Sequence, residues 1–447
     1  MIDQVDRSIE ETRQCLKEDI IRLVGVKSVK GEPVPGAPFG SGPRAMLDTV
    51  LEMGEKEGFY TTDYQVGVVS LALKKGQPDL GIWLHGDVVP EGSGWNWPPF
   101  EATEYKGCII GRGATDNKGQ LCAIFHLLKI FKEQGIALNY NPALYVGSDE
   151  ESGMHDLIGI PDNPDAKGFC NVCTPPRLSL VPDSGFPVGY GANGSMYFIF
   201  RSNQKLHRLQ ITAEQKGDHR IATASVGGKS VVVDTDSCGL HRSNSNDNVI
   251  AGLMDRLLDM KEVIYDDRRV LEFFKLISLD THGYQLGINI KHEEMRPLTV
   301  SAQKIETEDG VPAITVNIRY PVGISFDEIR GKMEDAARQY GLFLSEARSA
   351  TKPYLLSLEW PVLQRLSSIA SDITGDDKRP YLLRGATYAH RLPNAIVYGM
   401  DGNQTPEDFP EGHGSAHGAD ESVSLDRLQR AMKIYARALL ALNEMEW

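Results

Sequence analysis

Apolar positions recur with two different periods along this chain, and the change of period divides it. In the first ~25 residues Ile9, Leu16, Ile20, Leu23 and Val24 return on one face, which predicts helix. VVSLAL (68–73) and GIWLHGD (81–87) are short, almost wholly apolar runs and predict buried strands. GQLCAIFHLLKIFKEQG (119–135) sets Leu121, Ile124, Phe125, Leu128 and Phe131 at helical spacing, with Gly135 as the stop. ALYVGSDEE (143–151) predicts a strand running into a loop. This alternation predicts an α/β fold, a mixed, mainly parallel sheet with helices on both faces, whose sites lie just beyond the strand carboxyl ends. His85, Asp87, Glu150 and Glu151 fall at such ends.

After about residue 186 the pattern becomes strict alternation. TVSAQKI (299–305) and AITVNIRY (313–320) predict half-exposed strands, and FDEIRGKMEDAARQYG (326–341) a helix, so 186–380 is expected to be an inserted α+β domain. The first style then returns. AIVYGM (395–400) predicts a buried strand, GHGSAHGADES (412–422) a Gly-rich loop and SLDRLQRAMKIYARALLALN (424–443) a capped amphipathic helix. On this reading 1–185 and 381–447 are two parts of one domain, and the insertion is its lid.

Composition narrows the class of function. The formal charge, 47 − 61 = −14, argues against nucleic acid or an anionic membrane as partner, because polyanions are repelled unless a basic patch intervenes. The N-terminal MIDQVDRSIEETRQ lacks the apolar centre of a signal peptide, and no apolar run approaches ~18 residues, so a soluble cytoplasmic protein is expected. Six cysteines in 447 residues do not make a disulfide framework; Cys122 is expected to face a helical core. Cys170 and Cys173 form a lone CxxC with no second pair for a zinc knuckle, which leaves a structural or redox role.

Five Gly-flanked segments carry the candidate chemistry: LHGDVVP (84–90), GRGATDNKG (111–119), GSDEESG (147–153), VPDSGFP (181–187) and GSAHGADE (414–421). Their His85, Asp116, Glu150, Glu151, Asp183 and His417 are mostly carboxylates with an imidazole near each end of the set. That mixture suits two zinc ions bridged by one carboxylate, each with an open position. In His85-Gly86-Asp87 the carboxylate would hold the second ring nitrogen and fix the tautomer. Asp116 precedes a helix, so it could cap it, bridge metals or do both. Neighbouring Glu150 and Glu151 in an extended stretch would point apart, one to metal and one to water as general base, although DEES also reads as a solvated acidic turn. His413 and His390 rival His417, which is preferred for its small neighbours Ala416 and Gly418 and for the following Asp420 and Glu421.

HGDVVP, GWNWPPF with GRGATDNKG, DEESG, PDSGFP, NIRYP, GATYA and AHGADE, in that order from about residue 80 to the end, resemble the co-catalytic zinc metallopeptidases of peptidase family M20, and within it the dipeptidase V branch. The resemblance implies two Zn²⁺, with Mn²⁺ or Co²⁺ as alternatives. His85 and Asp183 would hold one ion and Glu151 and His417 the other, with Asp116 bridging and followed by a cis peptide to Asn117. Glu150 would be the general base and Asp87 the orienter of His85. A lid histidine, His241, would stabilise the oxyanion, Arg319 would clamp the carboxylate of a small peptide substrate, and Gly385, Thr387 and Tyr388 would line it. About 195 residues separate PDSGFP from GATYA, which implies a doubled lid and a self-sufficient monomer, with dimerisation through other surfaces left open. Three departures fall on the substrate side: Arg242 after His241, His219-Arg220-Ile221-Ala222 in place of Asn-x-Val-Pro, and His390 in place of arginine. The functions in view are a dipeptidase for unblocked dipeptides, an N-acyl amino-acid amidohydrolase, and a metal- or peptide-binding protein without catalysis.

Overall fold

A computed structural model describes residues 1–447 apart from 162, 164, 208, 215–218, 237–247 and 401–404. The chain divides into two compact units, Met1–Tyr190 with Leu356–Trp447, and Gly191–Leu355. Each is built on its own sheet.

The first unit is the predicted α/β layer structure. Its central strands run in the order Tyr60–Asp63, Val68–Ala72, Pro142–Gly147, Leu80–His85, Leu178–Val181 and Ala395–Val397. The last four are mutually parallel, whereas Val68–Ala72 is antiparallel to its neighbours. Leu80–His85 and Pro142–Gly147 are buried at every position, as strands covered on both faces must be. The N-terminal helical stretch is two helices, Ile2–Glu11 and Arg13–Val24, which meet at Thr12 and bury Val5, Ile9, Leu16, Ile20, Leu23 and Val24. Gly119–Glu133 is more deeply buried than an amphipathic stripe requires: Gln120 and His126 are inside too, His126 paired with Asp19 at 2.9 Å. The C-terminal helix Leu425–Leu442 begins at Ser424, whose hydroxyl accepts the Arg427 N–H, and Arg437 reaches Asp6 of the first helix with both terminal nitrogens, at 2.9 and 2.7 Å. No described helix is long and apolar enough to cross a membrane.

The second unit is a seven-stranded antiparallel sheet in the order Lys229–Asp236, His219–Val226, Leu209–Glu214, Thr299–Glu308, Val311–Tyr320, Gly194–Ser202 and Leu342–Thr351. Val311–Tyr320 alternates between buried and half-buried positions. Its inward side chains Ile314, Val316 and Ile318 share a core with Leu253 and Leu257, Phe273 and Ile277, and Ile329 and Met333, drawn from helices Val249–Leu258, Tyr265–Leu279 and Phe326–Gln339. The last of these starts in a Ser325/Glu328 capping box.

The unit boundaries differ from those expected. Residues 356–380 belong to the first unit, because the helix Pro361–Thr374 buries Val362, Leu363, Leu366, Ile369 and Ala370 there, and Tyr398 donates to the Leu366 carbonyl at 2.9 Å. An amphipathic helix can cover either kind of sheet, so its pattern does not say which unit it joins.

At Gly147, where the Pro142–Gly147 strand hands over to the acidic loop, an added Cβ would collide with Tyr388 Oη and the Asp156 carboxylate. These two groups are themselves hydrogen-bonded at 2.5 Å. Gly147→Ala is therefore expected to cost at least ~2 kcal/mol, read as a lowered thermal midpoint. A wild-type midpoint would show that the loop yields to the methyl group.

Candidate active site

Three neighbouring parallel strands end at one level and carry most of the candidate groups. His85 closes Leu80–His85 opposite Gly147, the Glu150–Ser152 turn follows Pro142–Gly147, and Asp183 follows Leu178–Val181. Asp116 enters from the loop ahead of Gly119–Glu133. His417 enters from the C-terminal Gly-rich loop, 332 residues after His85 in sequence (417 − 85).

In space the two histidines flank one carboxylate. Asp116 Oδ1 lies 3.0 Å from His85 Nε2 and its Oδ2 lies 3.2 Å from His417 Nε2. His417 Nε2 also lies 2.9 Å from Glu151 Oε1, and His85 Nε2 lies 4.0 Å from Asp183 Oδ1. Ligand-capable atoms of His85, Glu150 and Asp183 gather within 4.8 Å of one another, as do those of His85, Asp116 and Glu151. The Asp116–Asn117 peptide is cis, and Asn117 Nδ2 donates to Asp183 Oδ1 at 2.8 Å.

The support beneath these groups differs in two places from the expected arrangement. His85 Nδ1 faces the main-chain carbonyl of Asp87 at 3.0 Å, and the Asp87 carboxylate is farther, at 3.7 Å. A carbonyl only accepts, so Nδ1 carries a proton; Nε2 donates to Asp116 while it is protonated and offers a lone pair to a cation once that proton leaves. The Asp87 carboxylate instead accepts the N–H groups of Glu150 at 3.2 Å and Glu151 at 3.1 Å, holding the acidic turn against the His85 strand. That turn is 3₁₀ rather than extended, so adjacent side chains diverge by about a third of a turn instead of pointing to opposite sides.

Charge is crowded among groups of unequal exposure: His85 and Glu150 are buried, Asp116, Glu151 and Asp183 are half-buried, and His417 is exposed. Burial, reinforced by Asp183, raises the Glu150 carboxyl well above the usual range, and one of its oxygens is buried with no hydrogen-bond partner. Burial and the nearby Asp116 charge push Asp183 up to about 8, and burial lifts Asp87 to about 7. Hydrogen bonds that His417 donates to the Asp116 and Glu151 carboxylates raise it to about 10. Burial pulls His85 down, but Asp116, Glu150 and Asp183 together raise it well above its ordinary value. Asp116, although buried, is held low by its two imidazole partners. Apart from Asp116, every one of these shifts favours an added proton, so the cluster attracts positive charge. Carboxylates, imidazoles and an orphaned carboxylate oxygen form a donor set that fits divalent cations.

Other residues take places that sequence reasoning did not assign. Glu421 accepts the N–H groups of Gly113, Thr115 and Asp116 and pairs with buried Arg112. Asp420 accepts the N–H groups of Asn96 and Trp97 and faces His413 Nδ1 at 2.6 Å, which engages the first rival of His417. The other rival, His390, turns Nδ1 to the Thr387 main chain. Asp156 accepts the N–H groups of Ser148 and Asp149 as well as the Tyr388 hydroxyl. The only signal for these roles was position inside a Gly-flanked candidate segment, which Arg112, Asp420 and Glu421 have and Asp156 lacks.

Of the residues expected to line the substrate, Gly385 is exposed and Thr387 and Tyr388 are buried. Tyr388, 1% exposed, packs edge-on against Trp83 and gives its hydroxyl to Asp156, so it stands behind the acidic loop rather than on an open wall. Its ring is too apolar to leave that core for water. Arg319 lies half-buried on the strand Val311–Tyr320 of the second unit, opposite Thr299 and Ser195. His241 and Arg242 lie outside the described residues. Cys122 is buried as expected, and Cys170 and Cys173 are free thiols.

Comparison with known proteins bears on the fold and the family. The "Putative dipeptidase YtjP" of Bacillus subtilis (strain 168) is 28% identical, covering 95% of this chain and 97% of that protein. Among solved structures, the dipeptidase Dug1p of Saccharomyces cerevisiae superposes with a TM-score of 0.59 at 13% identity, covering 100% of this chain and 99% of that one. The Bacillus subtilis YxeP protein, described as a dinuclear metal binding peptidase, superposes with a TM-score of 0.52 at 12% identity, covering 98% and 100%. Residues 82–441 match the family described as peptidase family M20/M25/M40, and the chain belongs to it.

Proposed function

We propose that this protein is a dinuclear-zinc dipeptidase that hydrolyses unblocked dipeptides, with Glu150 as general base. The observation that carries the reading is the Asp116 carboxylate lying between His85 Nε2 at 3.0 Å and His417 Nε2 at 3.2 Å, beside a buried, unpartnered oxygen of Glu150. The dipeptidase names of the full-length relatives support the substrate class.

His85, Asp183 and Asp116 would hold one ion, and Asp116, Glu151 and His417 the other. Zinc suits the imidazoles, and the carboxylate-rich remainder also suits Mn²⁺ or Co²⁺. When bound, such ions polarise a peptide carbonyl and bring the pKa of water down to about 7.

The remaining work falls to side chains of this chain. Glu150 takes the proton of the attacking water and then gives it to the leaving amine; burial and Asp183 raise its carboxyl in the metal-free protein, and bound cations would oppose that rise and leave it ionised to act as base. Asp87, by holding the N–H groups of Glu150 and Glu151, orients base and ligand together. By the family resemblance, Arg319 binds the substrate carboxylate as a two-pronged donor, and His241 stabilises the oxyanion.

Three outcomes check the reading. Glu150→Gln removes the base but keeps a ligand-like oxygen, so it should retain bound metal, measured by atomic absorption, while kcat falls by at least ~100-fold; an active variant sinks the base assignment. On zinc- or manganese-loaded protein, unblocked dipeptides should turn over faster than their N-acetylated counterparts. The reverse preference moves the function to an N-acyl amino-acid amidohydrolase, and silence on both moves it to binding without catalysis. Finally, adding Zn²⁺ to metal-free protein in weak buffer at pH 7 should release protons. Asp183, at about 8, and His417, at about 10, are protonated below those values and must lose their protons to bind a cation. Metal uptake with no acidification would overturn those protonation states of the metal-free protein.

A further inference from the structure

The loops that deliver Asp116 and His417 leave two adjacent antiparallel strands. Cys108–Ile110 pairs with Ser422–Ser424, Ile110 opposite Ser422, so the chain running out toward Asp116 and the chain arriving from His417 pass side by side. Beyond that pairing the two loops are joined by the main-chain bond from Gly111 N–H to the Glu421 carbonyl at 2.8 Å. Two side chains take the ladder's place.

Glu421 is 1% exposed, and both its oxygens are used. Oε1 accepts the N–H groups of Thr115 at 2.9 Å and Asp116 at 3.0 Å, and Oε2 accepts Gly113 N–H at 3.0 Å and Arg112 Nη1 at 2.5 Å. A carboxylate has about four acceptor positions, so Glu421 has none left for a metal. Its main-chain carbonyl accepts a further N–H, from Gly111, at 2.8 Å. Arg112, equally buried, shares its second prong between the other loop and the segment after His85: Nη2 donates to the carbonyls of His417 at 3.3 Å and Glu91 at 3.2 Å, and the guanidinium lies 5.2 Å over the Trp95 ring. His417 itself sits at φ +62°, a left-handed conformation that a non-glycine residue keeps only where its surroundings hold it.

We propose that Arg112 and Glu421 are positioning residues for the dinuclear metal centre, setting the separation of the Asp116 carboxylate from the His417 imidazole by gripping the main chain of both loops. The inference rests on the metallopeptidase reading given above. Glu421 places Asp116 through the latter's own N–H, and Arg112 places His417 through its own carbonyl. The ion pair between them couples the two placements. Lysine, with a single point charge, can serve one partner but not both. A purely structural ion pair would affect stability and leave the metal centre's affinity and geometry unchanged.

Metal-free wild type, Glu421→Gln and Arg112→Lys should be titrated with Co²⁺, following visible absorption, with stoichiometry measured after gel filtration and folding checked by circular dichroism. Wild type is expected to bind two ions per chain. The folded variants should bind at least one equivalent about 10- to 100-fold more weakly, with an altered absorption band, because supports behind metal ligands carry effects of that size. Variants that bind two ions with wild-type affinity and spectrum overturn the inference. If Glu421→Gln does not accumulate as folded protein, Arg112→Lys, which keeps the buried charge balanced, decides the matter alone. Failure of wild type itself to bind two ions would instead overturn the dinuclear reading on which the inference stands.

Discussion

Like charges cannot be crowded together away from bulk water without something to balance them, and most of this catalytic unit can be understood from that constraint. Asp116, Glu150, Glu151 and Asp183 converge with two imidazoles, His85 and His417, among the described residues. In a low dielectric, such a group must take up protons or cations. The raised pKa values of Glu150, Asp183 and His417 are the protonic form of that demand. A site of this kind holds its shape only if the surrounding backbone supplies fixed dipoles and paired charges.

Those supports form a second layer of acids that face away from the centre. Asp87 gathers the N–H groups of Glu150 and Glu151, Asp156 those of Ser148 and Asp149, Glu421 those of the Asp116 loop, and Asp420 those of Asn96 and Trp97. Each turns a Gly-flanked loop, which has no ladder of its own, into a defined surface. Glycine permits the close approach, and the buried carboxylate chooses one conformation among those glycine allows. Lys118 follows the same logic with opposite sign: fully buried, it donates to the Val26 carbonyl at 2.7 Å, and burial lowers it to about 7.

Much of the architecture was legible in advance because hydrophobic period reports burial directly. The continuous apolar runs at 80–85 and 142–147 could only be strands covered on both faces, and the alternating run at 311–320 only a strand with one face covered. Legibility failed where the same local pattern serves two tertiary ends. The helix Pro361–Thr374 has an ordinary apolar stripe, and which unit it covers is decided by Tyr398 and its neighbours. Tyr388 sits in a motif that reads as a substrate wall, yet its ring is drawn into the core by Trp83 and its hydroxyl by Asp156.

The sequence by itself determined the class of chemistry, since residue types at Gly-flanked strand ends restrict what a site can bind. It also determined the layered α/β scaffold and the alternating sheet of the insertion, which local periodicity specifies. Only the tertiary structure decided which histidine among His390, His413 and His417 faces Asp116, that the Asp87 carboxylate serves backbone N–H groups more closely than His85, and that Arg112 and Glu421 join two loops 305 residues apart at Asp116 and Glu421. Direction and distance between side chains distant in sequence depend on how loops close over one another. No local pattern encodes that closure, because it is set by hydrogen bonds that exist only once the chain is folded.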